Sequence, residues 1–253
     1  MKDFWHKIAS VVIVFIFWIL IWEIASLLVG QKVLLPSPID VCKTLALLCT
    51  KASFWLPILN SSLRIFLGFL GALFIGTILA IVSYKFKPVE LVLRPFMTMV
   101  KAVPVASFII LALIWINSDN LSLFIALLMA LPQIYCNILT GLIASNKELI
   151  EMAKIYHVSF GSILKGIVFP ALFPYLKTCC SVALGLCYKA GIAAEVIGLP
   201  KGTVGENIYN AKIYLMTPEL FAWTIAIVLV SVAIDKLFMF LLGKLTEKVE
   251  LKW

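Results

Sequence analysis

Charge is scarce in this chain. Of its 253 residues only 13% are Asp, Glu, Lys or Arg, about half the share of a soluble domain, which excludes an ordinary water-soluble globule. Histidine occurs only at His6 and His157, too thinly for a histidine-rich metal centre. Cys42, Cys49, Cys136, Cys179, Cys180 and Cys187 show no metal-ligand spacing, and four of them fall in or beside apolar runs. There Cys behaves as a small hydrophobe, so neither a metal site nor a disulfide framework is expected. No His, Asp, Glu and Ser set gathers near the end of an apolar run, which leaves no means for hydrolysis or group transfer and no catalytic residue to assign. Gly161 to Gly166 has the spacing of a phosphate-binding loop, but Ile167 follows where Lys is required, so no nucleotide cofactor is expected in this chain. Internal repeats and low-complexity tracts are absent as well.

What the chain has instead is apolar length. Hydrophobic residues make up 63% and mean hydropathy is +1.09, so the solvent is lipid. A bilayer core takes about 20 apolar residues per helix. Runs of that order lie at about 8–29, 63–84, 97–116, 121–143, 176–197 and 220–242. The expected fold is an all-α polytopic membrane protein, one transmembrane domain over 1–253 with six spans. The first run follows Lys2 and Lys7 as a signal peptide would. It is too long for that, carries Trp18, Trp22 and Glu23, and lacks a small-residue cleavage site, so it is expected to remain as an anchor. Pro104, Pro132, Pro170 and Pro174 interrupt or precede spans, where kinks are expected and neighbouring helices or water must satisfy the freed backbone. The stretch 34–61 opens Leu35-Pro36-Ser37-Pro38 and is apolar enough for a short helix at an interface or a lid on the bundle.

Basic residues near span ends set the orientation. Lys2, Lys7, Lys85, Lys87, Arg94, Lys147, Lys154, Lys165, Lys244, Lys248 and Lys252 share one side if both termini are cytoplasmic. Lys32, Lys43, Lys51, Arg64, Lys201 and Lys212 oppose that bias. The net charge of +8 is largely accounted for by these inner loops, and nucleic acid binding is not needed to explain it.

Two stripes stand out within the spans. Gly68, Ala72, Gly76 and Ala80 recur every four residues, the small-residue pattern that lets helix backbones approach closely in lipid. In the fifth span Ser181, Gly185, Lys189 and Ala193 share a stripe, and Glu195 follows. A lysine at mid-membrane costs about 2.5 to 3.5 kcal/mol, so it should face protein or water. On one straight helix Lys189 and Glu195 are about 120° and roughly 9 Å apart and do not pair. Each is either held by a neighbouring helix or lines a transport path.

Between the fourth and fifth spans, at about 146–170, Asn146 is placed to cap a helix whose first turn carries Glu148 and Glu151. Leu149, Met152, Ala153 and Tyr156 give it apolar surface. On pattern alone this is a satellite core, a membrane-surface helix or a docking element.

The stretch resembles the EAA motif of permease subunits of binding-protein-dependent ABC importers: Glu-Ala-Ala, three residues, Gly, nine residues, Ile, one residue, Leu-Pro. Glu151, Ala153, Ile167 and Pro170 fall in register, whereas Met152, His157 and Phe169 stand in place of Ala, Gly and Leu. The likeness is nearest to the nitrate/sulfonate/taurine type. It extends to Leu35-Pro36-Ser37-Pro38, Ser62-Leu63-Arg64, Pro104-Val105 before Trp115, Ala193-Ala194-Glu195, Tyr209-Asn210-Ala211 and Thr217-Pro218.

The resemblance implies a type I importer permease in a bacterial cytoplasmic membrane, paired with a second copy or a paralogue. Two cytoplasmic ATP-binding subunits would hold ATP and Mg, and an extracytoplasmic binding protein would deliver a small solute: a sulfonate, a nitrate-like anion or a vitamin precursor. Glu148 to about His157 would be the coupling helix, with Glu151 on the docking surface and Ala153 allowing close approach. His157 replaces a Gly suited to a left-handed turn, leaving the turn open between His157 and Gly161. The competing function is an ion-coupled secondary transporter, a class that usually carries repeated halves with broken helices.

Overall fold

The computed structural model describes the backbone of residues 2–250, and side-chain surroundings for 10–244 except 11 and 147. Of the orientation residues, the side chains of Lys2, Lys7, Lys147 and Lys248 lie outside that description, as does all of Lys252. Helices follow one another along the described chain: α1 Lys2–Val29, α2 Pro38–Cys49, α3 Ala52–Lys85, α4 Lys87–Ala102, α5 Val105–Ala112 and α6 Ser118–Ile143. Then come α7 Lys147–Ile155, α8 Phe160–Ile163, a π-turn Leu164–Val168, α9 Phe169–Gly198, α10 Val204–Ile213 and α11 Thr217–Glu250. Among the described residues five helices are long and apolar enough to cross a membrane, and a sixth span exists if the bent pair α4 and α5 counts as one.

Within the span expected over 97–116 the kink expected at Pro104 is a full break between two helices. The two helices meet at 104°. Pro104 has no N–H to give, and it drives the preceding Val103 out of the helical region to φ −71°, ψ 131°. Two other boundaries move. α3 starts at Ala52 rather than near residue 63, so at 34 residues it is about 50 Å long and overreaches a bilayer core of roughly 30 Å. The fifth span does not start at 176, because helix runs unbroken from Phe160 to Gly198. Pro170 removes one helical donor, and the π-turn before it shifts the ladder, Phe169 N–H reaching back five residues to the Leu164 carbonyl.

The core is α6 clasped between α3 and α9. On α3 the predicted stripe does pack: a Cβ added to Gly68 would strike the Leu123 carbonyl and stand 2.9 Å from the Ala126 methyl. Ala72 and Ala80 are wholly buried, and Gly76 sits against Ile134. Close backbone approach is the main attraction open to helices whose side chains are as apolar as the lipid. Tyr135 of α6 donates to Ser83 of α3 at 3.0 Å. α11 closes the third side with Phe238 edge-on to Phe69 at 5.2 Å and Trp223 against Phe54 at 4.5 Å.

Along α1 the described apolar side chains, from Val12 to Val29, are mostly exposed. The helix is tied at its C-terminal end, where Trp22 Nε1 donates to the Pro36 carbonyl, Ser26 Oγ donates to the Leu35 carbonyl, and Trp22 stacks on Phe221. Ser37 caps α2 by accepting from Asp40 N–H. The Lys32 ammonium, 3.0 Å from Asp40, holds that carboxyl below its ordinary range.

Candidate coupling and translocation site

α7 is bounded at its start by a side-chain cap and at its end by a backbone turn. Asn146 Oδ1 accepts from Leu149 N–H at 3.2 Å, and Glu148 meets the positive end of the helix. At the other end His157 takes φ 53°. Its N–H reaches the Lys154 carbonyl at 3.0 Å and Val158 N–H reaches the Ala153 carbonyl at 2.9 Å, the paired bonds of a Schellman stop with His where Gly is usual. The turn therefore closes at His157. Gly161 lies inside α8, which Ser159 caps by accepting from Ser162 N–H, and a Cβ on Gly161 would meet nothing within 4 Å.

The stop fixes which face of α7 is free. Ala153 is 7% exposed, and Ile150 and Lys154 lie beside the C-terminal ends of α3 and α6. Glu151, Met152, Ile155, Tyr156 and His157 point away and are exposed, Ile155 at 74% and Tyr156 at 76%. Phe160 continues the patch at 80%. Free apolar side chains at this density on a helix bearing carboxylates mark a surface that meets either another protein or the membrane.

Lys189 lies in a cleft of about 380 Å³ between α9, α6 and the broken α4–α5 pair. Leu186, Ala190 and Ala193 form one wall, Met129, Pro132 and Gln133 a second, and Val100, Lys101, Val103 and Val105 the third. Lys101, Gln133 and Lys189 are the polar side chains among otherwise apolar lining residues. Lys101 also donates to Cys136 Sγ at 3.4 Å. Sequence reading passed over Lys101 and Gln133, although a Gln inside an apolar run was a visible signal.

Glu195 is placed elsewhere. It is fully buried, accepting from Ser61 Oγ at 2.6 Å and from Gly205 N–H at 3.3 Å. Ser61 Oγ in turn accepts from Val204 N–H at 2.9 Å. One carboxylate thus joins the ends of α3 and α9 to the start of α10, and Gly205 is needed because a Cβ there would collide with Glu195 itself. Burying a carboxylate without such donors would be costly. Gly185, grouped by spacing with the packing residues, does not pack within this chain: it is exposed, and a Cβ there would find nothing within 4 Å.

The family described as binding-protein-dependent transport system inner membrane component matches residues 72–250. Among individual relatives, a Bacillus subtilis protein named as an aliphatic sulfonates transport permease, SsuC, is 28% identical over 238 residues, covering 93% of this chain and 84% of that protein. The taurine transport system permease TauC of Escherichia coli is 23% identical, covering 85% of this chain and 80% of its own length. The nitrate import permease NrtB of Synechocystis is 24% identical, with 88% and 84% covered. A match over most of the chain, including α7, the cleft and the bent pair, joins these observations: this protein belongs to the family of inner membrane components of binding-protein-dependent transport systems.

Proposed function

We propose that this chain is one of two membrane-spanning subunits, identical or paralogous, of an importer whose energy enters at α7. Two ATP-binding subunits, which hold ATP and Mg, dock on the face formed by Glu151, Met152, Ile155 and Tyr156. The observation that carries this is the exposure of that face on a helix held at both ends by caps. With α4 and α5 counted as one, four spans precede α7, so α7 and both termini share the cytoplasmic side of a bacterial plasma membrane. An extracytoplasmic binding protein delivers cargo to the opposite face. The exposed side of α9 around Gly185 is where the second permease subunit approaches.

The cargo is a small anion with an apolar body. Lys101 and Lys189 supply charge, Gln133 supplies a donor, and the remaining lining residues of the cleft are apolar. Names of relatives mention aliphatic sulfonates, taurine and nitrate. Of these the organic anions suit apolar walls better than an inorganic one.

The test is copurification from gently solubilised membranes. An ATP-binding subunit is expected with the wild type and depleted about tenfold or more by Met152→Arg and Tyr156→Ala, since buried aromatic anchors carry about 2 kcal/mol or more. Equal recovery with a properly folded pair of variants overturns the docking reading.

A further inference from the structure

A second cavity, of about 400 Å³, opens at the root of α7. Its walls are the inner ends of α3 and α6, and it is closed by α7, α8 and the π-turn. The lining is apolar apart from Lys154, Tyr84, Thr77 and Ser145. Thr77 and Ser145 are already bonded to carbonyls of their own helices. Lys154 has no carboxylate partner among the described residues, and no carboxylate lines the cavity.

We infer that this cavity binds one anionic phospholipid, an acyl chain lying against Ile81, Leu142 and Phe169 and the phosphate meeting Lys154. Three observations favour a lipid over a soluble anion. The cavity is of ligand size yet lined by long apolar side chains, which a small inorganic anion cannot use. Its rim residues Ile81 and Leu164 are 51% and 46% exposed, so it opens sideways from the bundle. Tyr84 and Lys85 end α3 at this level, the aromatic and basic pair found where apolar helices meet head groups. An unpaired lysine there matches the negative inner leaflet. A chain lodged in the cavity braces α7 against α3 and α6, so the lipid sets how firmly the proposed coupling helix is held.

The inference rests on the cytoplasmic placement of α7, but its test does not need the ATP-binding subunits. Native mass spectrometry of the purified chain is carried out with phosphatidylglycerol or phosphatidylcholine of identical acyl chains. Wild type is expected to prefer phosphatidylglycerol by about fivefold, the weight of one lysine near a charged surface. Lys154→Gln is expected to bind both lipids alike. Ile81→Trp and Leu164→Trp, made at half-exposed rim positions, are expected to lose both. An unchanged preference in Lys154→Gln, undiminished binding in both Trp variants, or displacement of the lipid by free glycerol phosphate alone overturns the proposal. Equal recovery of the ATP-binding subunit with Met152→Arg and Tyr156→Ala, measured separately from gently solubilised membranes, would instead sink only the docking reading.

Discussion

Lys189 and Glu195, six positions apart on one helix, stand in different surroundings. Glu195 is wholly buried and its donors come from α3 and α10, so it joins elements and does not line the cleft. Lys189 is exposed to a cleft that also holds Lys101 and Gln133. Uptake by Lys189→Ala is expected to fall about tenfold or more, the loss of a hydrogen bond to a charged group being roughly 1.5 to 3 kcal/mol. Lys189→Arg should retain most uptake, and both variants should reach the membrane in normal amount. Unimpaired uptake by the alanine variant would remove Lys189 from the path. Sequence made both residues conspicuous as charges in apolar surroundings. It could not divide their roles, because a buried donor set and an open cleft are made by other helices.

At the scale of elements the α7 stop is the most instructive. A non-glycine residue at φ 53° carries a steric cost that Gly avoids. His157→Gly is therefore expected to stabilise the turn by about 1 kcal/mol, raising the thermal midpoint of the solubilised protein by roughly 2 °C. A fall in midpoint would mean that the His side chain makes a contact worth more than the strain. The cap at Asn146 and the packing stripe at Gly68 were legible beforehand, since both depend on residues close in sequence or on a simple period. Three features were legible in part or not at all. A kink at Pro104 was expected, but how sharply the chain bends there was not, because Pro57, Pro132 and Pro174 lie within α-helices. The π-turn is a matter of backbone register, which composition does not encode. The extension of α3 past its apolar run depends on packing against α9 and α10, as in the Ser61 to Glu195 contact.

For the whole molecule, orientation is the open physical question that a chemical probe can answer. Cys42 and Cys49 on α2 are exposed, and Glu148 on α7 is exposed. With α7 cytoplasmic, a membrane-impermeant maleimide applied to intact cells is expected to label Cys42 or Cys49. With Cys42 and Cys49 replaced by Ser, it should leave Glu148→Cys unlabelled until the membrane is opened. The reverse pattern would invert the topology. Hydropathy by itself determined that the chain lives in lipid and how many apolar runs it has, and local capping marked a short helix between the fourth and fifth of them, because these follow from solvent transfer and from residues close in sequence. Only the tertiary structure decided that the third run breaks at Val103, that Lys101 and Gln133 join Lys189, and that Glu195 is enclosed. In a bilayer almost every apolar face is equally acceptable to lipid, so the choice of neighbour falls to close backbone approach and to a few buried polar groups, which act between segments far apart in sequence.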